Sequence, residues 1–379
     1  MKSSLCVRAG TVVLVAMLLL IGRGHPAAAQ NEIRIGLIGP LTGLLAVAGS
    51  GMKQGAELAV EEINAAGGIN GRKVVLYPED DQANPAESVS ALKRLIEEKG
   101  VLAVIGPITA TAMLAMSKIN KEAGVVLLSP TASAPIITKQ GNPYMFRNCP
   151  TAPVLSGNVA KYAVQTLGLK RFAIVTQNDD FGRTNGDAFA AAAKELGATV
   201  VANESHLPDD KDFKGQLIKI KAQRPDALFL TGFYAPGALV AKQAREIGLN
   251  VQLLATNPMA APPYRTIGGK AVEGTIFSAF YFPGAFTNKE AADFVTKWKK
   301  RFGAEPNVYH GPAYDDMLLI AEAIRRKGAT RQGIRDGLAS IKDFPGVSGY
   351  TSFDEYGDVI KKIIILKVEG NEVKPITTM

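Results

Sequence analysis

VLAVIGPITAT (Val101–Thr111) and VVLLSPTASAP (Val125–Pro135) decide how the chain folds. Each opens with a short continuous apolar run, the composition of a strand buried on both faces, and stops at a cluster of Gly, Pro, Ser or Thr. Such strands belong to open parallel sheets, where ligands sit beyond the carboxyl ends and loop amides and helix N-termini point outward. Thr109 and Thr111 precede a helical stretch, Ala112–Ala123, and Thr131 and Ser133 follow the second strand. Hydroxyls and amides therefore converge on one small volume, and the partial positive charge of a helix N-terminus suits a carboxylate. Thr109 and Ser129 read equally well as plain caps of a helix and a turn.

Outward from these corners, apolar runs alternate with helix-period stretches from Ile33 onward, the pattern of an α/β fold with parallel sheets. On the N-terminal side the expected elements are a strand Ile33–Ile38, a helix Gly51–Ala65, a strand Lys73–Pro78 and a helix Pro85–Lys99. On the other side a second series of helices and strands runs from Val154 to Ala255, so two doubly wound units are expected. The segments after Thr275 do not make a third unit. They are expected to complete the two earlier sheets, with the chain crossing between them more than once.

Residues 1–29 carry the marks of an export signal: Lys2 and Arg8, an apolar run Ala9–Ile21, and Ala27-Ala28-Ala29 as a cleavage site. Removing them takes away three of the 43 basic residues and none of the 35 acids, so the formal net charge of +8 becomes +5. These charges form no basic stripe, and nucleic acid is not an expected partner. Cys149 is left without an intramolecular partner and reads as a packed residue.

The usual catalytic patterns are missing. Gly36, Gly39 and Gly43 do not have dinucleotide-binding spacing, and there is no P-loop, no serine elbow and no H-E-x-x-H. After the signal only His206 and His310 remain, without a cysteine cluster to hold zinc. The acid pairs Asp80-Asp81, Asp179-Asp180, Asp209-Asp210 and Asp315-Asp316 read as solvated or capping. No cofactor, metal or catalytic residue is expected.

The runs Ile35–Gly43 (IGLIGPLTG), Gly55–Gly71 (GAELAVEEINAAGGING), Asp80-Asp81 and Ile105-Gly106-Pro107 are together similar to the periplasmic branched-chain amino acid binding proteins of ABC importers. The likeness continues through Ser129-Pro130, Phe181-Gly182, Tyr314-Asp315 and Phe353–Asp358 (FDEYGD), over nearly the whole exported chain. The resemblance implies an α/β, type I periplasmic binding protein fold: two doubly wound parallel-sheet lobes joined by three hinge crossings. It places the first lobe at 31–151 plus 279–354 and the second at 152–278 plus 355–379. It also implies a monomer in the periplasm that closes on a small-molecule ligand and is read by an inner-membrane permease.

Carried over residue by residue, the carboxylate loop falls on Thr109, Ala110 and Thr111, and the second loop on Ala132 and Ser133. Phe181, Phe233 and Tyr234 match an aromatic wall. Where amino-acid binders hold the ammonium with an acid, this chain has Asn257, and another commonly acidic position is Ala152. Burying an ammonium without a carboxylate is costly, so the expected ligand is an organic acid, aliphatic or aromatic. A branched-chain or other amino acid is the alternative ligand. A periplasmic ligand sensor is the alternative role.

Overall fold

The computed structural model describes residues 32–379; the expected export signal, residues 1–29, lies outside the described residues. The chain opens with β1 (Glu32–Gly39), α1 (Ala46–Ala65), β2 (Lys73–Asp80), α2 (Pro85–Glu97), β3 (Ala103–Ile105), α3 (Ala110–Ala123), β4 (Val126–Ser129), a single turn α4 (Ile136–Lys139) and β5 (Met145–Arg147). The five strands form one parallel sheet in the order β2-β1-β3-β4-β5. Local signals fix the helix ends. Asn84 accepts from the Ala86 amide with Pro85 in the first turn of α2, and Gly124 at φ +64° closes α3.

Several ends shift by two residues, including α3, which begins at Ala110 so that Thr111 lies inside it and does not precede it; two elements differ more. α1 begins at Ala46, five residues before the expected Gly51, and carries Gly49 and Gly51 in its first turns. Gly49 is there for close approach, since a Cβ would fall 2.0 Å from the Pro40 carbonyl oxygen. The short strand β5 has no apolar run to announce it, because buried Arg147 occupies its last position.

The second series is α5 (Ala152–Lys161), β6 (Arg171–Gln177), α6 (Asp180–Glu195), β7 (Thr199–His206), α7 (Lys214–Ala222), β8 (Ala227–Leu230), α8 (Tyr234–Glu246), β9 (Gln252–Ala255), α9 (Pro262–Gly268) and β10 (Ile276–Ala279). The tail adds α10 (Lys289–Phe302), α11 (His310–Lys327), α12 (Arg331–Ala339), β11 (Phe344–Gly346), β12 (Gly349–Phe353), β13 (Val359–Ile360), β14 (Ile364–Glu369) and β15 (Glu372–Thr378). The second sheet has the order β15-β14-β10-β9-β8-β6-β7. Its β14–β15 edge is an antiparallel hairpin turning at Gly370 and Asn371, both with φ near +60°.

The tail thus completes the second sheet, as expected, but adds no strand to the first. β11, β12 and β13 make a separate small sheet, and α11 packs along α1. The chain passes between the two large sheets three times, after β5, after β10 and after β13. The last passage is later than the expected 354/355 junction, because β13 still pairs with β12 and Asp358 still pairs with Arg147. Asp354 holds that turn closed by accepting from the Tyr356 and Asp358 amides.

The passages bury an ionic cluster. Lys361 lies 3.8 Å from Asp315, and both side chains are fully enclosed. Ser348 bonds the same carboxylate, which also accepts from the Val347 and Ser348 amides. Beside it, Asp316 is buried next to the Asn148 side chain, and burial pushes its carboxyl well above the usual range. This pair is neither solvated nor capping, contrary to the sequence reading. α11 packs between α1 and the small sheet, which buries both side chains.

Candidate functional site

The corners after β3 and β4 face the corners after β6 and β8 across a cleft between the two sheets. On the first side Thr109 caps α3, its Oγ1 accepting from the Ala112 amide at 3.3 Å. The amides of Ala110 and Thr111 lie in the opening turn, where no intrahelical acceptor exists. Ser129 ties the two corners together: its hydroxyl donates to Pro107 O at 2.6 Å and accepts from the Ala132 amide at 3.1 Å. Thr131 adds a bond to Ile108 O at 3.1 Å. The first wall is braced by its own hydroxyls.

On the second side Phe181 stands in the first turn of α6 and Phe233 just before α8, and their rings stack with centroids 5.2 Å apart. Asp179 caps α6, accepting from the Gly182 amide at 2.7 Å and from the Gln177 side chain. Gln177 also accepts from the Phe233 amide at 3.4 Å, which links the acid to the aromatic loop. Gly232, at φ +106°, is required here, since a Cβ would come within 2.5 Å of the Gln177 side-chain oxygen.

Two bonds span the cleft. Thr111 donates to Asp180 at 3.2 Å, and Tyr234 donates to Leu44 O at 3.0 Å. Burial pushes the Tyr234 phenol up to about 12. Between these bonds lies a cavity of about 390 Å³. Leu44, Leu45, Phe181, Phe233, Tyr234 and three prolines make it largely apolar, while Thr109, Thr111, Gln82, Gln177 and Asp179 supply its polar edge. It falls in the size range of small-molecule sites. A second chamber of about 10 Å³ adjoins it, sharing Thr109, Phe181 and Phe233 and adding Asn257, Thr131 and Tyr309.

Of the residues singled out in the sequence, Thr109, Thr111, Phe181, Phe233 and Tyr234 line the larger cavity, and Asn257 lines the inner chamber. Ala110, Ala132 and Ser133 line neither. Ala132 has its amide engaged by Ser129, while the buried Ser133 hydroxyl has no partner among the described residues. The sequence reading missed Gln177, Asp179 and Tyr309. Asp179 lies at the carboxyl end of a parallel strand, the position from which such folds present ligand groups, but a capping Asp gives the same signature. No group of three metal-ligating side chains occurs among the described residues.

The sequence model of the periplasmic binding protein family matches residues 32–372. The chain belongs to the periplasmic binding protein family. Among its relatives in that family, the Leu/Ile/Val-binding protein BraC3 of Rhizobium johnstonii is 33% identical over 92% of this chain and 93% of its own length. The leucine-binding protein LivK of Thermotoga maritima superposes with a TM-score of 0.86, at 30% identity, over 92% of this chain and 98% of that one. LivJ of Streptococcus pneumoniae, solved with isoleucine, gives the same TM-score at 28% identity, with coverage of 92% and 98%. The periplasmic binding fold, two α/β units joined by three passages, is therefore that of this chain.

Proposed function

We propose that the protein is the solute-binding component of an ABC importer, capturing a small carboxylate-bearing molecule between its lobes and presenting the closed form to a membrane permease. It acts after export, as a monomer, and breaks no bond. The lobes of this reading are residues 32–151 plus 280–360 and residues 152–279 plus 361–379, which follow the sheets. The observation that carries it is the cavity of about 390 Å³ walled from both sides and bridged by Thr111–Asp180 and Tyr234–Leu44. The α3 amides and the Thr109 and Thr111 hydroxyls would hold the carboxylate, and Phe181, Phe233 and Tyr234 would cover its apolar body. An α-amino acid is the second reading of the ligand. Asp179 on the cavity wall favours it, and the relatives named for leucine and isoleucine support it.

A thermal-shift screen of residues 30–379, refolded to remove carried-over ligand, tests the reading. At 100 times its dissociation constant a ligand stabilises by about 2.7 kcal/mol. A shift with aliphatic or aromatic carboxylates or amino acids, and none with their amides, is expected. Shifts of equal size from acid and amide, or no shift from any of them, would remove the carboxylate from the account.

A further inference from the structure

Asp179 is the carboxylate on the wall of the large cavity, and no lysine or arginine lines that cavity. It forms no ion pair among the described residues. The nearest guanidinium on its helix, Arg183, is bound to Asn178 and Asp180. His206, which also faces it, bonds its Nδ1 to Leu207 O, and burial holds its pKa below the ordinary value, so it stays neutral near pH 7. The Asp179 carboxylate is therefore left without a protein counter-ion among the described residues.

Its position is fixed. Oδ1 accepts from the Gly182 amide and Oδ2 from Gln177, itself buried and bonded onward to the Phe233 loop. Each oxygen has a second acceptor direction left. The Thr111–Asp180 bond at 3.2 Å brings the start of α3 against the start of α6, so the carboxylate side and Asp179 flank the same space.

Resting on the reading above, we propose that Asp179 accepts the ammonium of an α-amino acid whose carboxylate lies at the start of α3. It would do the work for which Asn257 has no charge. An apolar amino acid then presents its two charged groups to the two helix starts and its side chain to Leu44, Phe181 and Phe233. A dicarboxylate is repelled at the same place.

The test uses calorimetry on the exported chain with L-leucine and with 4-methylpentanoate, which has the same skeleton and no amino group, for the wild type and for D179N. Asn caps helices as well as Asp, so α6 should be retained, and an unchanged melting temperature would verify that. The wild type is expected to favour leucine by at least about tenfold. D179N should lose about 10- to 100-fold for leucine, in the range of a charge-assisted hydrogen bond, and lose nothing for 4-methylpentanoate. Equal losses for both ligands would make Asp179 a positioning residue, and no loss for leucine would make it a cap only; either overturns the proposal. A wild type that binds the two alike overturns it and leaves carboxylate capture standing. Binding of neither overturns it, and carboxylate capture falls with it if no other carboxylate of the thermal-shift screen binds.

Discussion

On the first-lobe wall, Thr109, Thr111 and the opening amides of α3 offer donors without formal charge, braced by Ser129 and Thr131. On the second-lobe wall, a Phe181–Phe233 stack lies beside Asp179, an anion tied to Gln177. The first wall suits any carboxylate, because helix amides read charge and little else. The second suits particular ligands, because an aromatic surface and one fixed anion select for shape and for a donor. On the proposed function, recognition of a common group falls to backbone, and discrimination to side chains on the opposite lobe.

The largest expected effect concerns what stands behind the first wall. His310 stacks on Trp298 at 4.0 Å, adjoins Tyr309 of the inner chamber, and packs against Gly51 and Gly55 of α1, the helix that follows the Leu44 and Leu45 loop. Burial pushes its imidazole down to about 3. The unfolded chain takes up this proton near pH 6.5 and the folded chain does not. The stability from neutral His310 is therefore complete above about pH 6.5 and is lost as the pH falls through about 3, a loss on the order of a few kcal/mol. Denaturant melts of the wild type and His310→Asn across that window should show a flatter acid limb in the variant. An equally steep limb in both would place the acid sensitivity in the carboxylates.

Next in size is Phe233→Ala, which removes half of the aromatic stack. Loss of one buried aromatic contact should weaken every apolar ligand by about 2 to 3 kcal/mol, roughly 30- to 150-fold, in calorimetry. A loss confined to aromatic ligands would mean that the stack reads rings alone. Smaller again is Thr109→Val on the first wall. Losing the cap should lower stability by about 1 kcal/mol and weaken leucine and 4-methylpentanoate by the same factor. Unequal weakening would show that the first wall also senses the amino group, and the division between walls would fail.

Legibility followed the range of the interactions. The β3 and β4 corners could be read because a buried strand followed by a capped helix is written in adjacent residues. The start of α1 is not legible, since Gly49 looks like a break until Pro40 is seen packed against it. The Asp315–Lys361 contact was not readable, because it joins residues 46 positions apart through the small sheet. The same holds for the cleft. Phe181, Phe233 and Asn257 are legible through resemblance, whereas Asp179 carries the signature of a cap, which it also is. Only the folded chain places that cap on a ligand-sized cavity.

The most direct measurement is calorimetry of the stripped chain with L-leucine and with leucinamide, which keeps the amino group and side chain but has no carboxylate. Micromolar or tighter binding of leucine, about −8 kcal/mol or better, with leucinamide at least about tenfold weaker, is the result the two-wall account predicts. Equal binding of the two would contradict it, for the start of α3 would then not be reading a carboxylate.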